Sequence, residues 1–193
     1  MYKLCKTEQS SSRQRELEAG LLAAMASHQY EEISVSDLCD HLGVPRKSFY
    51  RYFSSKDGAL QALLDHTLME YETYPLTTPP GEQRTVQKEL ERFFQFWVSK
   101  KPLLDALQRS NLSGLLIERS IDYALNGVFM PRRFLAHDTQ DVQKQVTTFA
   151  VCGLMSMVLN WHHSGYAQSI QHMAKLAVRL VSQPLFSNTG DLL

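Results

Sequence analysis

Apolar residues recur every three or four positions along most of the chain, which is the spacing that gives a helix one buried face. The first example runs from Ser12 to Ala26, where leucines and a methionine keep this spacing among charged residues. Strict alternation of apolar and polar residues, which a half-buried strand requires, is nowhere sustained. The pattern predicts an all-α protein of about nine helices.

A proline-rich segment divides these helices into two groups. The stretch from Thr73 to Arg84 contains three prolines and one glycine in twelve residues, so it connects two units rather than continuing a helix. Four helices are expected before it, at about 12–26, 36–42, 46–53 and 56–71, and five after it, at about 85–100, 102–110, 112–129, 139–165 and 169–183. We divide the chain into residues 1–56 and residues 57–193, with the helix 56–71 as the connecting lever and the last five helices as a bundle.

The second and third helices are short and are separated by a tight turn. Ser34 to Asp37 reads as a capping box, in which the serine hydroxyl accepts an amide hydrogen bond and the acid reaches back, and Ser54 to Asp57 repeats the pattern. Gly43 takes positive φ without steric cost, and Pro45 suits a first helical turn because it lacks an N–H group. This is the arrangement of a helix-turn-helix, whose second helix enters a DNA major groove.

The charge of this region differs from that of the whole chain. Twenty Lys and Arg balance twenty Asp and Glu, so the zero net charge supplies no long-range attraction to nucleic acid. Between Gly43 and Lys56 there are nevertheless four cations and no acid. The cations are Arg46, Lys47, Arg51 and Lys56, with the hydroxyl groups of Ser48, Tyr50 and Tyr52 among them. The cluster predicts contacts to phosphates and bases; the alternative is a solvated cationic face on a structural helical hairpin.

The run ISVSDLCDHLGVPRKSFYRYFSSKDGALQALL, from Ile33 to Leu64, resembles the DNA-binding segment of the TetR/AcrR family of transcriptional regulators. The resemblance covers roughly residues 10 to 64, a third of the chain, and implies an N-terminal three-helix helix-turn-helix domain. It implies that Phe49 fills the core and that Lys56 contacts a phosphate. The DNA-binding residues that we expect are Ser34, Ser36, Pro45, Arg46, Lys47, Ser48, Tyr50, Arg51, Tyr52 and Lys56.

Two features near this segment leave alternatives open. Val35 lies where many family members have a polar group, so either neighbouring serine could reach DNA, and we favour Ser36. The N-terminal arm carries Lys3, Lys6, Arg13 and Arg15, which could neutralise phosphates or enter a minor groove. Acidic residues follow closely, so a frayed and solvated arm is equally consistent with the sequence.

The last two-thirds of the chain resembles the family's regulatory domain only in architecture, which implies a ligand cavity and a dimer formed by the last two helices. The helix after Thr139 is apolar on nearly all sides, so it must be covered on nearly all sides. A homodimer would cover it, and the alternative is a core helix of a monomer. The interface residues that we expect are Leu154, Val158, Trp161, Met173, Ala177 and Val181.

Aromatic residues in the same region suggest a cavity for a small apolar or aromatic effector. The expected lining residues are Phe93, Trp97, Gln108, Tyr123, Phe149 and Cys152. The alternative is that these residues are ordinary core packing.

Other chemistry finds little support in the sequence. His162 and His163 point about 100° apart on a helix and cannot chelate one ion together. No glycine-rich phosphate loop or cysteine-rich zinc pattern occurs, so neither a metal, a cofactor nor an enzymatic activity is expected. Three widely spaced cysteines suit reduced thiols, and no uninterrupted apolar stretch reaches about 18 residues, so we expect a cytoplasmic protein without membrane contact.

The function that these observations favour is a dimeric repressor that an effector releases from a palindromic DNA operator. The alternatives are a DNA-binding adaptor or activator controlled by a protein partner, and a small all-α enzyme with a dispersed site.

Overall fold

The computed structural model describes residues 1–75, 85–126 and 139–182. Within these ranges the chain forms nine α-helices and a 3₁₀ turn at Tyr30–Glu32, which confirms the predicted all-α class. The helices are α1 (Glu8–Met25), α2 (Val35–His41), α3 (Arg46–Tyr52), α4 (Lys56–Thr73), α5 (Val86–Ser99), α6 (Lys101–Arg109), α7 (Ser113–Asn126), α8 (Gln140–His163) and α9 (Ile170–Ser182). The proline-rich connection expected from Thr73 to Arg84 lies largely outside the described residues, as does the expected end of the seventh helix after Asn126.

Side-chain caps set where several helices begin, because they satisfy amide groups that have no partner within the helix. The Ser34 hydroxyl accepts from the Asp37 N–H at 3.1 Å, as the sequence predicted. At α4 the prediction was wrong by one residue, since Ser55 is the cap and accepts from the Gly58 N–H at 3.1 Å. Ser54 instead bonds through its hydroxyl to the carbonyl oxygen of Met1 at 2.8 Å.

The turn between α2 and α3 depends on one glycine. Gly43 has a φ of +62°, a conformation that a residue with a side chain adopts only with strain. The Val44 N–H then donates to the Cys39 carbonyl at 2.9 Å, which closes the turn. Phe49 is fully buried below it, so α3 packs through that residue on the core of the N-terminal domain.

The C-terminal bundle is built from two main helix pairs, α5 with α9 and α7 with α8. Large aromatic side chains of α5 fill its centre, with Phe94 and Phe96 fully buried and Trp97 2% exposed. Trp161 of α8 packs edge-on against Phe94, with ring centroids 5.6 Å apart. The aromatic residues of α5 are therefore largely core, as the alternative interpretation of the sequence allowed.

Helix α4 is shared between the two halves of the protein, because it packs on α1 and on α7. The Arg119 guanidinium of α7 bonds to both carboxylate oxygens of Asp65 on α4, at 2.6 to 2.8 Å. The Tyr2 hydroxyl donates to the same carboxylate at 2.8 Å. The division at residue 56 stays a prediction, since α4 belongs to both packed units.

Helix α8 is long and apolar enough, by length and composition, to cross a membrane. Within its most apolar 18-residue window, 22% of the helix is buried against the rest of the chain. The core helix of a soluble protein passes the same test. The buried face of α8 packs on α7 and includes Val151, Met155 and Val158.

Candidate functional site

The outer face of α3 is exposed, cationic and free of acidic side chains. Arg46, Lys47, Tyr50 and Arg51 are exposed, and Ser48 is half-buried beside them. Tyr50 lies edge-on to the buried Phe49, with ring centroids 5.6 Å apart. Because Phe49 holds the inner face of α3 in the core, the four exposed side chains point away from the protein, where the phosphates and base edges of a DNA groove would lie.

Tyr52 does not belong to this exposed face. Its side chain is 8% exposed and packs beside Phe53, so most of it is core, and a DNA contact by Tyr52 stays a prediction. The reason for its burial is its position at the last turn of α3, three residues after Phe49, which places it on the inner side of the helix. The Tyr52 carbonyl accepts from the Lys3 N–H at 2.9 Å.

The N-terminal arm is paired with the turn after α3. Tyr2 forms an antiparallel bridge with Phe53, and the Gln14 side chain donates to the Lys3 carbonyl at 3.2 Å. Of the two alternatives for this arm, the frayed one therefore does not describe residues 1–5. The side chains of Lys3 and Lys6 are exposed, so they extend the cationic surface beyond the end of α3.

The serines at the start of α2 differ in their surroundings. The Ser34 hydroxyl accepts from the Asp37 N–H and donates to the Asp37 carboxylate at 2.5 Å, so its one hydrogen-bond donor is already used at the cap. Ser36 is half-buried one residue into α2. A DNA contact by either serine stays a prediction.

The ammonium group of Lys56 points into the protein rather than toward the exposed face of α3. It donates to the backbone carbonyls of Tyr30 at 2.5 Å and Ile33 at 2.7 Å. It also lies over the Tyr30 ring, 4.2 Å from the centroid. To reach a DNA phosphate, as the resemblance implied, the ammonium group would have to leave these carbonyls. The phosphate contact of Lys56 stays a prediction.

A cavity lies among α4, α5, α7 and α8. About 410 Å³ of space there is unoccupied by protein atoms, part of it open to solvent. Its walls are Leu68, Tyr71, Phe93, Trp97, Ser120, Tyr123, Val151, Leu154 and Met155. The Ser120 hydroxyl is already bonded to the Leu116 carbonyl at 2.7 Å, so the walls are almost entirely apolar.

The cavity walls carry no charged side chain, and burial moves the two tyrosines still further from ionisation. Burial raises the pKa of Tyr71 to about 12, and together with a hydrogen bond to the Glu72 carboxylate it raises the pKa of Tyr123. Both phenols are therefore neutral at pH 7. The guanidinium of Arg92 lies outside the walls, stacked over the Tyr71 ring at 4.1 Å from its centroid.

Three of the six expected lining residues, Phe93, Trp97 and Tyr123, do line this cavity. The other three are corrections. Phe149 is 67% exposed on the opposite side of α8. Cys152 of α8 is half-buried but is not one of the side chains that line the cavity. Gln108 is exposed at the end of α6, where it bonds to His163 at 2.7 Å.

The sequence interpretation missed the wall that α4 supplies and, on α7, the lining residue Ser120. Leu68 and Tyr71 are three residues apart on α4, and Ser120 and Tyr123 are three apart on α7, so each pair shares one helix face. That spacing is visible in the sequence. The sequence does not show which helices face one another across the cavity.

Most of the expected dimer residues lie inside the protomer, and this part of the prediction is wrong. Val158 is fully buried and Trp161 is 3% exposed, while Met173 and Ala177 of α9 are 7% and 1% exposed. They pack on α7 and α5 because those helices, rather than a second copy, cover them. Leu154 lines the cavity, and the side chain of Val181 lies outside the described part of the chain.

A different face of α8 is apolar and uncovered. Val142, Val146 and Phe149 are 43%, 40% and 67% exposed and lie within about 60° of one another around the helix. Gly153 and Asn160 continue the same exposed line. On α9, Leu176 and Leu180, one turn apart, are 40% and 39% exposed.

Across the described ranges, no three His, Cys, Asp or Glu side chains are grouped in a way that could hold a metal ion. His162 is buried and bonds to the Asp105 carboxylate at 2.8 Å, whereas His163 is exposed. The two histidines therefore have different partners, Asp105 for His162 and Gln108 for His163.

A family model matches the helix-turn-helix part of the chain. Residues 19–63, which contain its turn and its cationic face, match the family model described as bacterial regulatory proteins, tetR family. This segment is similar to the DNA-binding segment of TetR-family regulators. Members of that family are transcription regulators that bind DNA, and they are not enzymes.

A curated relative supports this likeness over part of the chain. The HTH-type transcriptional regulator EthR of Mycolicibacterium smegmatis is 32% identical to this chain over 85 residues. The match covers 40% of this chain and 39% of the relative, so it spans well under half of that protein.

Solved structures of similar fold extend the structural likeness to most of the chain. The fatty acid degradation regulator FadR of Bacillus halodurans superposes with a TM-score of 0.59 and 15% identity, covering 94% of this chain and 98% of that one. A tetR-family transcriptional regulator of Streptomyces coelicolor gives a TM-score of 0.53 and 18% identity, covering 88% and 78%. At these identities the likeness shows the fold.

Proposed function

We propose that this protein is a homodimeric transcription repressor that binds a palindromic DNA operator and is released by a small apolar or aromatic molecule. The observation that carries the DNA-binding part is the exposed face of α3. It presents three cations and a tyrosine on a helix whose opposite side is anchored in the core. In a chain of zero net charge, such a concentration of cations attracts a polyanion locally.

Operator selection from genomic DNA tests this part of the proposal. On the selected site, Arg46→Ala and Lys47→Ala are expected to weaken binding, by about 1 to 3 kcal/mol where the lost side chain contacts a base. Lys175→Ala is the matched control, because Lys175 is an exposed cation on α9, away from the helix-turn-helix. Equal affinities for the α3 variants and the control would contradict the assignment of α3 as the reading helix.

The dimer rests on two further arguments. One short helix contacts too few base pairs for useful specificity, and a two-fold axis doubles the contacts. Helices α8 and α9 each leave apolar residues exposed, and a second copy would cover such residues in an isologous interface. With such a partner, the low burial of α8 has a cause that needs no membrane, consistent with a soluble regulator in the cytoplasm.

The effector rests on the cavity and on its position beside α4. Leu68 and Tyr71 of α4 form part of the wall, so a molecule in the cavity contacts the same helix that joins the helix-turn-helix to the bundle. A ligand shifts DNA affinity only through its different affinities for the two arrangements, and about 1 to 3 kcal/mol is typical of such coupling. An apolar wall without free hydrogen-bonding groups favours a neutral apolar or aromatic ligand.

Fluorescence gives a test of the effector, because Trp97 lines the cavity. The neutral aromatic probe N-phenyl-1-naphthylamine is expected to quench Trp97, and Trp97→Phe identifies the part of the signal that comes from Trp161. Titration with and without operator DNA measures the coupling, which must be reciprocal. A probe that binds equally well in both titrations would show that occupation of the cavity does not release DNA.

A further inference from the structure

The N-terminal arm is attached to the end of α3 by backbone contacts. Tyr2 forms its antiparallel bridge with Phe53, and the Lys3 N–H donates to the Tyr52 carbonyl at 2.9 Å. Phe53 is 1% exposed and packs against Phe49, with ring centroids 5.1 Å apart. Because Phe49 anchors α3 in the core, a movement of the arm acts on the residues that set the position of α3.

The side chain of Tyr2 reaches from this bridge to the middle of α4. Its hydroxyl donates to the Asp65 carboxylate at 2.8 Å, and its ring lies edge-on to His66, with centroids 5.6 Å apart. The His66 Nδ1 atom lies 2.9 Å from both carboxylate oxygens of the buried Glu18 on α1. Burial and the bond to Asp65 raise the pKa of Tyr2 to about 12, so the hydroxyl keeps its proton at pH 7 and stays a donor.

The Asp65 carboxylate is also bound by α7. The Arg119 guanidinium donates to both of its oxygens at 2.6 to 2.8 Å, a bidentate pairing that fixes angle as well as distance. Asp65 is 9% exposed, so a carboxylate that lost these partners would be left buried with its charge uncompensated. We therefore expect Asp65 and Arg119 to stay paired when α7 moves.

Both members of this ion pair lie next to the cavity. Arg119 directly precedes Ser120, a wall residue of α7. Asp65 is three positions before Leu68, a wall residue of α4, and residues three apart share a helix face. A molecule in the cavity that displaces either wall therefore displaces one member of the pair.

We propose that the N-terminal arm is a further connection between the cavity and α3, in which Tyr2 is a positioning residue that is held by Asp65 and Arg119. A movement of α7 then passes through the Asp65 carboxylate to the Tyr2 hydroxyl, and from the arm backbone to the end of α3. The inference rests on the effector-controlled DNA binding proposed above, and it adds a route to α3 that does not run along α4 to its first turn.

Amide hydrogen exchange of Lys3 tests this connection in the free protein, without DNA or ligand. The Lys3 N–H is bonded to the Tyr52 carbonyl, so its exchange rate measures how often the arm leaves α3. Tyr2→Phe keeps the ring and removes the hydroxyl, and should raise this rate at least about tenfold, because a hydrogen bond to a charged group is lost. Arg119→Met, a change on α7, should raise it at least about threefold, because Asp65 loses the partner that orients it.

Tyr123→Phe is the matched control, because it removes another bond from a tyrosine to a carboxylate of α4, that of Glu72, without involving the arm. It should leave the exchange of Lys3 within about twofold of the wild-type rate. Amides of α5 are expected to keep their wild-type rates in every variant, which separates loss of the arm contacts from loss of the fold. If Arg119→Met does not fold, Arg119→Lys gives the same test, since it keeps the charge and loses the bidentate pairing.

The double variant shows whether the two side chains act through one route. Once Tyr2→Phe has broken the route, adding Arg119→Met should change the exchange of Lys3 by less than about twofold. Independent effects of the two substitutions, or no effect of the Arg119 variants on Lys3, would refute the connection whether or not the protein binds DNA.

Reciprocal coupling with DNA tests whether regulation uses this connection. The ratio of the affinities for N-phenyl-1-naphthylamine without and with the selected operator measures the coupling. Tyr2→Phe should bring this ratio at least about threefold closer to one, whereas a merely structural role would change operator affinity and leave the ratio as it is. An unchanged ratio would overturn the role of the arm in regulation. A wild-type ratio of one would instead contradict the proposed effector, and the exchange of Lys3 alone would then decide whether the arm connects α7 to α3.

Discussion

Phe149 offers the sharpest test of how two copies associate. It is the most exposed large apolar side chain of α8, at 67% exposure. A phenylalanine side chain buries about 150 to 250 Å², so roughly 130 Å² remains for a partner to cover, which at about 25 cal/mol per Å² is about 3 kcal/mol per protomer. An isologous interface counts this contribution twice, which gives an upper limit of about 6 kcal/mol for the dimer.

Phe149→Asp replaces this apolar surface with a charge that the interface would have to desolvate. We expect a loss of about 3 to 6 kcal/mol, which raises the dimer dissociation constant by about 100- to 10,000-fold. Sedimentation velocity over a range of protein concentrations measures the shift. Because Phe149 touches little of its own protomer, thermal unfolding of the monomer should change by less than about 0.5 kcal/mol.

The matched control is Lys144→Asp, which introduces the same side chain on the same helix. Lys144 is exposed and lies about 140° around α8 from Phe149. It should leave the dissociation constant within about twofold of the wild-type value. If Phe149→Asp dissociates at the same concentration as Lys144→Asp and the wild type, the exposed face of α8 is not the interface.

Three further substitutions test the fold and the contacts that tie its halves together. Gly43→Ala should cost about 1 to 2 kcal/mol in urea unfolding, because φ is +62° there and no atom lies near enough to clash. Asp65→Asn should cost about 2 to 3 kcal/mol by the same measurement, since Arg119 loses a bidentate carboxylate in a half-buried site. The hydrogen bond from Lys101 lowers the pKa of Asp105, so its stabilisation is present at pH 7 and is lost as pH falls. Asp105→Asn should therefore cost up to about 1 kcal/mol at pH 7 and progressively less below about pH 4, and a cost that grows with acid would contradict this sign.

The helices were predictable because the spacing of their apolar residues and the residues that begin and end them are local features of the sequence. Gly43 fixed the turn between α2 and α3, and its positive φ follows from the absence of a side chain. Those predicted helix ends that fall within the described residues agree with the structure to within a few residues, apart from the start of α1 at Glu8. Its cap, Thr7, pairs reciprocally with Ser10 rather than with an acidic residue, so the usual capping signature was absent.

The faces of the long helices were less predictable, because a helix that is apolar all round does not state which side has a partner in its own chain. On α8 the residues Val158 and Trp161 were assigned to a dimer and are core, while Phe149 was assigned to a cavity and is exposed. Choosing between them requires the positions of α5 and α7. Likewise, the direction of the Lys56 side chain depends on the carbonyls of a 3₁₀ turn that no residue pattern indicated.

The walls of the cavity and the polar contacts that hold α4 are made largely by different side chains. Phe93, Val151 and Met155 have no polar group to contribute to an ion pair or hydrogen bond, and the overlap is concentrated at Tyr71 and Tyr123. Under the proposed function, mutation of the purely apolar wall would change which molecule is sensed while leaving the transmission of the signal intact. Such separation lets new sensing specificities evolve by single substitutions, and it marks the same three positions as the place to begin when a sensor for a different compound is engineered from this scaffold.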